Sequence, residues 1–305
     1  MLSPINQIKL YGYNKLFNDL NFLYSKGKLP NKILFSGQKG LGKSTLSYHL
    51  INSILSKDEE FSYNLSDLSI NDQNKTYKLI QNKSHPNFNL IDVLPEKKNI
   101  HINQIRNLLS KFNKSSFNSK PRFILIDNIE LLNINSVNAL LKFLEEPSSN
   151  TYFMLIHNQK DIPSTLRSRC LEYKIFFSNN EMLNIANSLL DGNIFDLINR
   201  DLLDYYVTPG KIYHLFHFCL ENDIDIKNIT LNDFLSLLID KGYYKKNLHL
   251  NNLIYDFMEV FLNKNLKDKY TFIASDFIKR IDNVKRFNLD EESLMIYFKE
   301  KILNE

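Results

Sequence analysis

"LFSGQKGLGKST", residues 34–45, decides how the chain is read. Gly37, Gly42, Lys43 and Ser44 fit the pattern G-x-x-x-x-G-K-[ST], a phosphate-binding loop wherever it joins a strand to a helix. That context is present. "KILFSG" (32–37) is a short apolar run stopped by glycine, which predicts a buried strand, and "KSTLSYHLINSIL" (43–55) follows with helical spacing. In such a loop the glycines, here Gly37, Gly40 and Gly42, let backbone N–H groups curl around phosphates. Lys43 reaches the β- and γ-phosphates, the Ser44 hydroxyl ligates Mg²⁺, and Thr45 continues the helix N-terminus.

Working outward, "FNLIDV" (88–93), "RFILIDN" (122–128), "YFMLIHN" (152–158) and "LEYKIFF" (171–177) predict four more strands. "RFILIDN" is continuously apolar, as an interior strand of a parallel sheet is. Between them, "INQIRNLLSKF" (102–112) and "NSVNALLKFLEEP" (135–147) have helical periodicity. Asn135 or Ser136 is the expected cap of the latter, with Pro147 just beyond its end. An early helix carries Leu16, Leu20 and Leu23 on one face with Phe17 beside them, ending near Gly27. The fold class is α/β: a doubly wound parallel sheet with ligands at the carboxyl ends of its strands.

Residues 56–84 are polar and rich in Lys, Asn and Ser, which predicts a surface excursion. After residue 178 strand signals fade. "NEMLNIANSLL" (180–190) and "KIYHLFHFCL" (211–220) are helical, with "TPG" (208–210) as a break. Leu253, Ile254, Phe257, Met258, Phe261 and Leu262 recur at helical spacing, and Asn288 with Glu291 predicts a capping box. The expected domains are an α/β nucleotide domain (1–177), a helical lid (178–225) and a helical collar (226–305).

The chain has 305 residues, 43% apolar and 24% charged, which excludes a disordered protein. A net charge of +4 is compatible with nucleic acid without requiring it. Cys170 and Cys219 are the two cysteines, too few for a four-cysteine zinc site and read as reduced thiols. No signal pattern or membrane-length apolar run occurs, so the expectation is a cytoplasmic protein without a membrane partner.

Asp127 closes the third strand, where an acid holds Mg²⁺ of a bound ATP. The next residue is Asn128, which cannot accept a proton at neutral pH. A general base contributes about 10²–10⁴ in rate, so intrinsic turnover is expected to be weak or absent unless Glu130 substitutes.

"LRSRC" (166–170), "NALLKFLEEP" (138–147) and "SHPNFNLIDV" (84–93), in this order around the phosphate loop, resemble the bacterial DNA polymerase III clamp-loader subunits of the AAA+ family. The opening "LYGYNKLFNDL" (10–20) is similar too, and the resemblance covers about residues 8–175. Within the family, motor subunits of the gamma or tau type have a cysteine cluster after the phosphate-loop helix, Asp-Glu at the strand end and an Arg in the lid. This chain has no cysteine between 46 and 84, Asp127-Asn128 at the strand end, and Lys211 after "TPG". Its length also fits the delta-prime type, with no room for a tau-like extension; some delta-prime proteins, however, have a ruined phosphate loop.

The resemblance implies that Arg169 of "SRC" is an arginine finger, reaching a γ-phosphate held by the neighbouring motor subunit; Arg167 is nearby but off the motif. It implies ATP and Mg²⁺ as ligands and no zinc. Gamma/tau and delta subunits, the sliding clamp and primed DNA are the implied partners. Gln104 and Arg106 are candidate contacts to the DNA backbone, Asn158 beside His157 a γ-phosphate sensor, and Tyr11 and Gly12 the border of the adenine. Two alternatives stay open: an ATPase motor, and a scaffold whose phosphate loop is vestigial.

Overall fold

The computed structural model describes residues 3–94, 97–112, 119–145, 150–158, 161–203, 207–246, 248–265, 271–287 and 289–303. The chain divides into two compact units, one of Met1–Ser188 with Thr208–Gly210, the other of Leu189–Val207 with Lys211–Glu305.

The first unit runs α1 (Asn14–Ser25), β1 (Lys32–Ser36), α2 (Lys43–Leu55), α3 (Lys75–Gln81), β2 (Phe88–Ile91), α4 (Ile102–Phe112) and β3 (Arg122–Ile126). It continues with α5 (Ile134–Glu145), β4 (Thr151–His157), α6 (Ser164–Arg167), β5 (Leu171–Lys174) and α7 (Asn179–Leu190). The strands form one five-stranded sheet in the order β2-β3-β4-β1-β5, and every pairing is parallel. Leu34 pairs with Leu155, which in turn pairs with Ile126.

Side chains alternate between the two faces of each strand, so both faces need cover. Ile33, Phe35, Phe123, Leu125, Met154 and Ile156 face one core with Phe17, Leu20, Leu46 and Leu50 of α1 and α2. Leu34, Ile124, Ile126, Phe153 and Leu155 face the other with Ile105, Leu108, Leu140 and Leu144 of α4 and α5. This is a doubly wound, all-parallel α/β sheet. The chain leaves β1 and crosses to the far edge at β2, opening a crevice at the carboxyl end of β1, the switch point where such sheets hold ligands.

Local chemistry departs from expectation in three places. The cap of α5 is Asn133, whose Oδ1 accepts from the Ser136 N–H at 2.8 Å and the Ser136 hydroxyl at 2.8 Å. Pro147 lies outside the described residues. Residues 56–84 join the first core, burying Tyr63, Leu68, Ile70, Tyr77 and Ile80. Asn74 holds them there, its Nδ2 donating to the Phe61 carbonyl at 2.6 Å and its Oδ1 accepting from Asn52 at 3.0 Å. Lastly, of the "TPG" expected to separate two helical segments, Pro209 and Gly210 already belong to the second, α9.

The second unit contains α8 (Ile194–Leu197), α9 (Pro209–Glu221, of which Pro209 and Gly210 belong to the first unit), α10 (Leu231–Asp240), α11 (Tyr243–Lys246), α12 (Leu248–Asn265), α13 (Thr271–Phe287) and α14 (Glu291–Phe298). Phe234 of α10 meets Phe257 of α12 edge to face, and Phe277 of α13 packs on Phe298 of α14. α14 is capped by Asp290, which accepts from the Glu292 and Ser293 amides; Asn288 lies outside the described residues. No helix among the described residues is long and apolar enough to cross a membrane.

Candidate nucleotide site and surface arginine

The loop between β1 and α2 is built so that its carbonyls are all engaged. Lys43 Nζ donates to the carbonyls of Gly37 at 2.8 Å and Gln38 at 2.6 Å. Thr208 Oγ1 donates to Lys39 O at 2.9 Å, Gly210 N–H to Gly40 O at 2.9 Å, and the Tyr13 hydroxyl to Leu41 O at 2.8 Å. Leu46 N–H takes Gly42 O at 2.9 Å. For the amides of Gln38 to Thr45 there is no acceptor within the chain among the described residues. A run of uncommitted N–H groups leading into a helix N-terminus is an anion cradle. Gly37 is obligatory, because a Cβ there would sit 2.4 Å from Ile175 O. Phosphate therefore fits the residues present.

Lys43 is 3% exposed, and burial pulls its ammonium down to about 8, opposed by the charges of Asp127 and Glu130. Two of its three N–H donors are engaged by the loop, leaving one to face an anion. Asp127 follows β3, and its Oδ2 accepts the Ser44 hydroxyl at 2.5 Å. Burial raises the Asp127 carboxyl to about 6, with the Ser44 hydrogen bond opposing and the Asp92 charge adding. Among the described residues no group of three His, Cys, Asp or Glu side chains forms a self-sufficient metal site.

Asn128 lies in the left-handed region at φ 55°, and its backbone N–H donates to Asp127 Oδ1 at 2.8 Å. Its Nδ2 donates to Asp92 Oδ1 at 2.8 Å, and its Oδ1 accepts from Asn158 Nδ2 at 3.0 Å. Asn158 also grips Glu130, through Nδ2 to Oε1 at 3.1 Å and backbone N–H to Oε2 at 3.2 Å. Asn158, Asn128 and Glu130 are thus one hydrogen-bonded group at the carboxyl ends of β3 and β4. Both Glu130 carboxylate oxygens thus accept from Asn158.

A cleft of about 210 Å³ is lined by Tyr11, Gly12, Phe177, Glu181, Asn184 and Ile185 among others, bringing the two residues read as bordering a base to one wall. Gln104 is engaged internally, Nε2 donating to Asp92 O at 2.8 Å and Oε1 accepting the His101 N–H at 3.0 Å. Arg106, two residues on, is exposed. Lys211 is ion-paired to Asp256 at 2.5 Å within the second unit.

Arg169 follows α6 at the surface. Its guanidinium donates to Glu145 Oε1 at 2.6 Å and to the Thr165 carbonyl at 2.8 Å, leaving other N–H groups of the fork uncommitted. Arg167 lies 3.7 Å from Glu172. Sequence reasoning missed Tyr13, Thr208, Gly210 and Asp92. Each lies in a stretch quoted above, but none was given a role, and "TPG" reads as punctuation.

A family model described as DNA polymerase III, delta subunit matches residues 12–178. Over 232 residues the chain is 28% identical to the DNA polymerase III subunit gamma of Buchnera aphidicola subsp. Schizaphis graminum, covering 73% of this chain and 61% of that one. It is 31% identical over 175 residues to the DNA polymerase III subunit delta' of Buchnera aphidicola subsp. Acyrthosiphon pisum, 55% of this chain and 50% of the relative. The chain thus spans between half and two thirds of these relatives' lengths. A gamma subunit-related protein of Thermotoga maritima superposes over 95% of this chain and 92% of its own, with a TM-score of 0.44 and 17% identity.

Proposed function

The chain belongs to the DNA polymerase III delta-subunit family, and from that premise we propose that it is a clamp-loader subunit of the delta-prime type. It holds ATP with Mg²⁺ without efficient turnover and lends Arg169 to the site of a neighbouring gamma/tau motor subunit. With a delta subunit, the assembly places a sliding clamp on primed DNA. The 178–225 stretch acts as lid and 226–305 as collar.

One observation carries this reading: an intact phosphate cradle stands beside an amide, Asn128, where a hydrolytic site needs a carboxylate. The amides of Gln38 to Thr45 and the Lys43 ammonium would hold phosphates, while Ser44 and Asp127 would hold Mg²⁺ together with phosphate oxygens. Bound Mg²⁺ supplies charge neutralisation of those oxygens. Asn158 would report the phosphate through its amide, which already ties Asn128 to Glu130. Tyr11 and Gly12 border the base.

Arg169 suits its role because a guanidinium is permanently charged and forked to match phosphoryl oxygens. In trans, such a group contributes about 10³–10⁵ in rate. Arg106, more than the internally engaged Gln104, is the side chain available to a DNA backbone on α4.

The test is a titration of the isolated chain with a fluorescent ATP analogue and Mg²⁺, alongside a phosphate-release assay. Saturable binding that Lys43→Ala abolishes, with negligible release, supports the reading. Brisk release by the isolated chain supports a motor subunit instead, a reading favoured by the intact loop and the broad gamma match. Absence of binding supports a scaffold.

A further inference from the structure

The segment Thr208–Gly210, remote in sequence from the phosphate loop, is built into the same unit as the loop and holds two of its carbonyls. We propose that Thr208 and Gly210 are positioning residues for phosphate binding, fixing the peptide planes whose amides face the anion. This rests on the nucleotide reading above and extends it to residues outside the loop pattern.

The argument follows from peptide geometry. A trans peptide is planar, so its C=O and the following N–H point in opposite directions. Thr208 Oγ1, at 2.9 Å from Lys39 O, therefore fixes the direction of the Gly40 N–H. Gly210 N–H, at 2.9 Å from Gly40 O, fixes that of the Leu41 N–H. Lys43 does the same for the amides of Gln38 and Lys39, and Tyr13 for that of Gly42. Released, either plane can rotate and turn a carbonyl oxygen, a partial negative charge, toward the phosphate. Glycine at 40 removes the steric barrier that would otherwise resist such a flip.

The donors come from an economical source. Gly210 is the second residue of α9, and the first four N–H groups of a helix have no partner inside it. Pro209 takes the first position, where its lack of an N–H is harmless. Glycine at 210 is required by proximity: a Cβ there would lie 2.9 Å from both Gly40 Cα and Gly40 O. Backbone cannot yield as a side-chain tip would, so any larger residue lifts the segment off the loop.

The test uses the full chain as Thr208→Val, Thr208→Ser and Gly210→Ala, with two readouts: affinity for a fluorescent ADP analogue with Mg²⁺, and, without nucleotide, amide hydrogen exchange at residues 210 and 46, whose N–H groups are bonded to loop carbonyls. Thr208→Val keeps the shape and loses the donor, so binding weakens about five-fold and loop exchange accelerates, as for loss of one hydrogen bond. Thr208→Ser restores both, and Gly210→Ala weakens binding about ten-fold or more. Equal affinity and equal exchange for Val, Ser and wild type overturn the proposal, even if Gly210→Ala fails to fold. If wild type binds no nucleotide but Thr208→Val still accelerates loop exchange, the nucleotide reading falls and only the fixing of the loop's peptide planes by Thr208 survives. If exchange is unchanged as well, both fall.

Discussion

His49 lies in the middle of α2, the helix that the phosphate loop leads into, and it is fully buried. Its Nε2 meets the Gln7 carbonyl at 3.0 Å and its Nδ1 the Tyr63 hydroxyl at 2.9 Å. The neutral ring serves both, donating to Gln7 and accepting from Tyr63; a charged ring would offer Tyr63 a second donor. Burial pulls its pKa down to about 4, with the Gln7 carbonyl opposing. The unfolded chain keeps a histidine near its ordinary 6.5, so it takes up the proton first as pH falls. Stability from the neutral ring is fully present above about pH 6.5 and is lost as pH drops toward about 4. At 1.36 kcal/mol per unit the full loss is about 3 kcal/mol, of which about 2 kcal/mol is gone by about pH 5. Urea unfolding at about pH 7 and about pH 5 measures it, with His49→Gln as reference because glutamine does not titrate. The wild type should lose about 2 kcal/mol more than the variant over that interval. Parallel losses in the two proteins would refute the assignment of a buried neutral imidazole.

Lys43→Ala removes the donor holding Gly37 O and Gln38 O and should weaken nucleotide binding about 100-fold or more, read by fluorescent nucleotide titration. Asn133→Ala deletes the cap of α5 and should cost about 1 kcal/mol in a denaturation experiment, leaving nucleotide affinity unchanged. Asn158→Ala frees both Asn128 and Glu130 from their shared partner; nucleotide affinity should fall a few-fold without any gain in phosphate release. Arg106→Ala should leave nucleotide binding unchanged and reduce the salt slope of DNA binding by the assembled loader by about one counterion.

Strands and helices with one dominant period were legible. "KSTLSYHLINSIL" and "INQIRNLLSKF" coincide with α2 and α4: Gly42 marks the start of α2, and the apolar residues of α4 share a face. The segment 56–84 was not, since Tyr63, Leu68 and Ile70 enter the core at irregular spacing and are fixed by a polar group, Asn74, that composition reads as surface. The cap of α5 was placed too late: Asn133, Asn135 and Ser136 all qualify by type, and only geometry chooses Asn133. At the site, the loop pattern identified Lys43 and Ser44 without saying what holds the carbonyls. Those donors come from Tyr13, Thr208 and Gly210, a contribution of tertiary structure that no local pattern encodes.

What the account claims above all is that Arg169 serves a pocket in another polypeptide. The direct measurement is ATP hydrolysis by a loader reconstituted from gamma/tau, delta and this chain, wild type against Arg169→Ala, with assembly checked by sizing. Removing the guanidinium should lower the rate at the adjoining motor site by about 10³ while the complex stays whole. An intact complex hydrolysing ATP at that site at the wild-type rate would contradict the account.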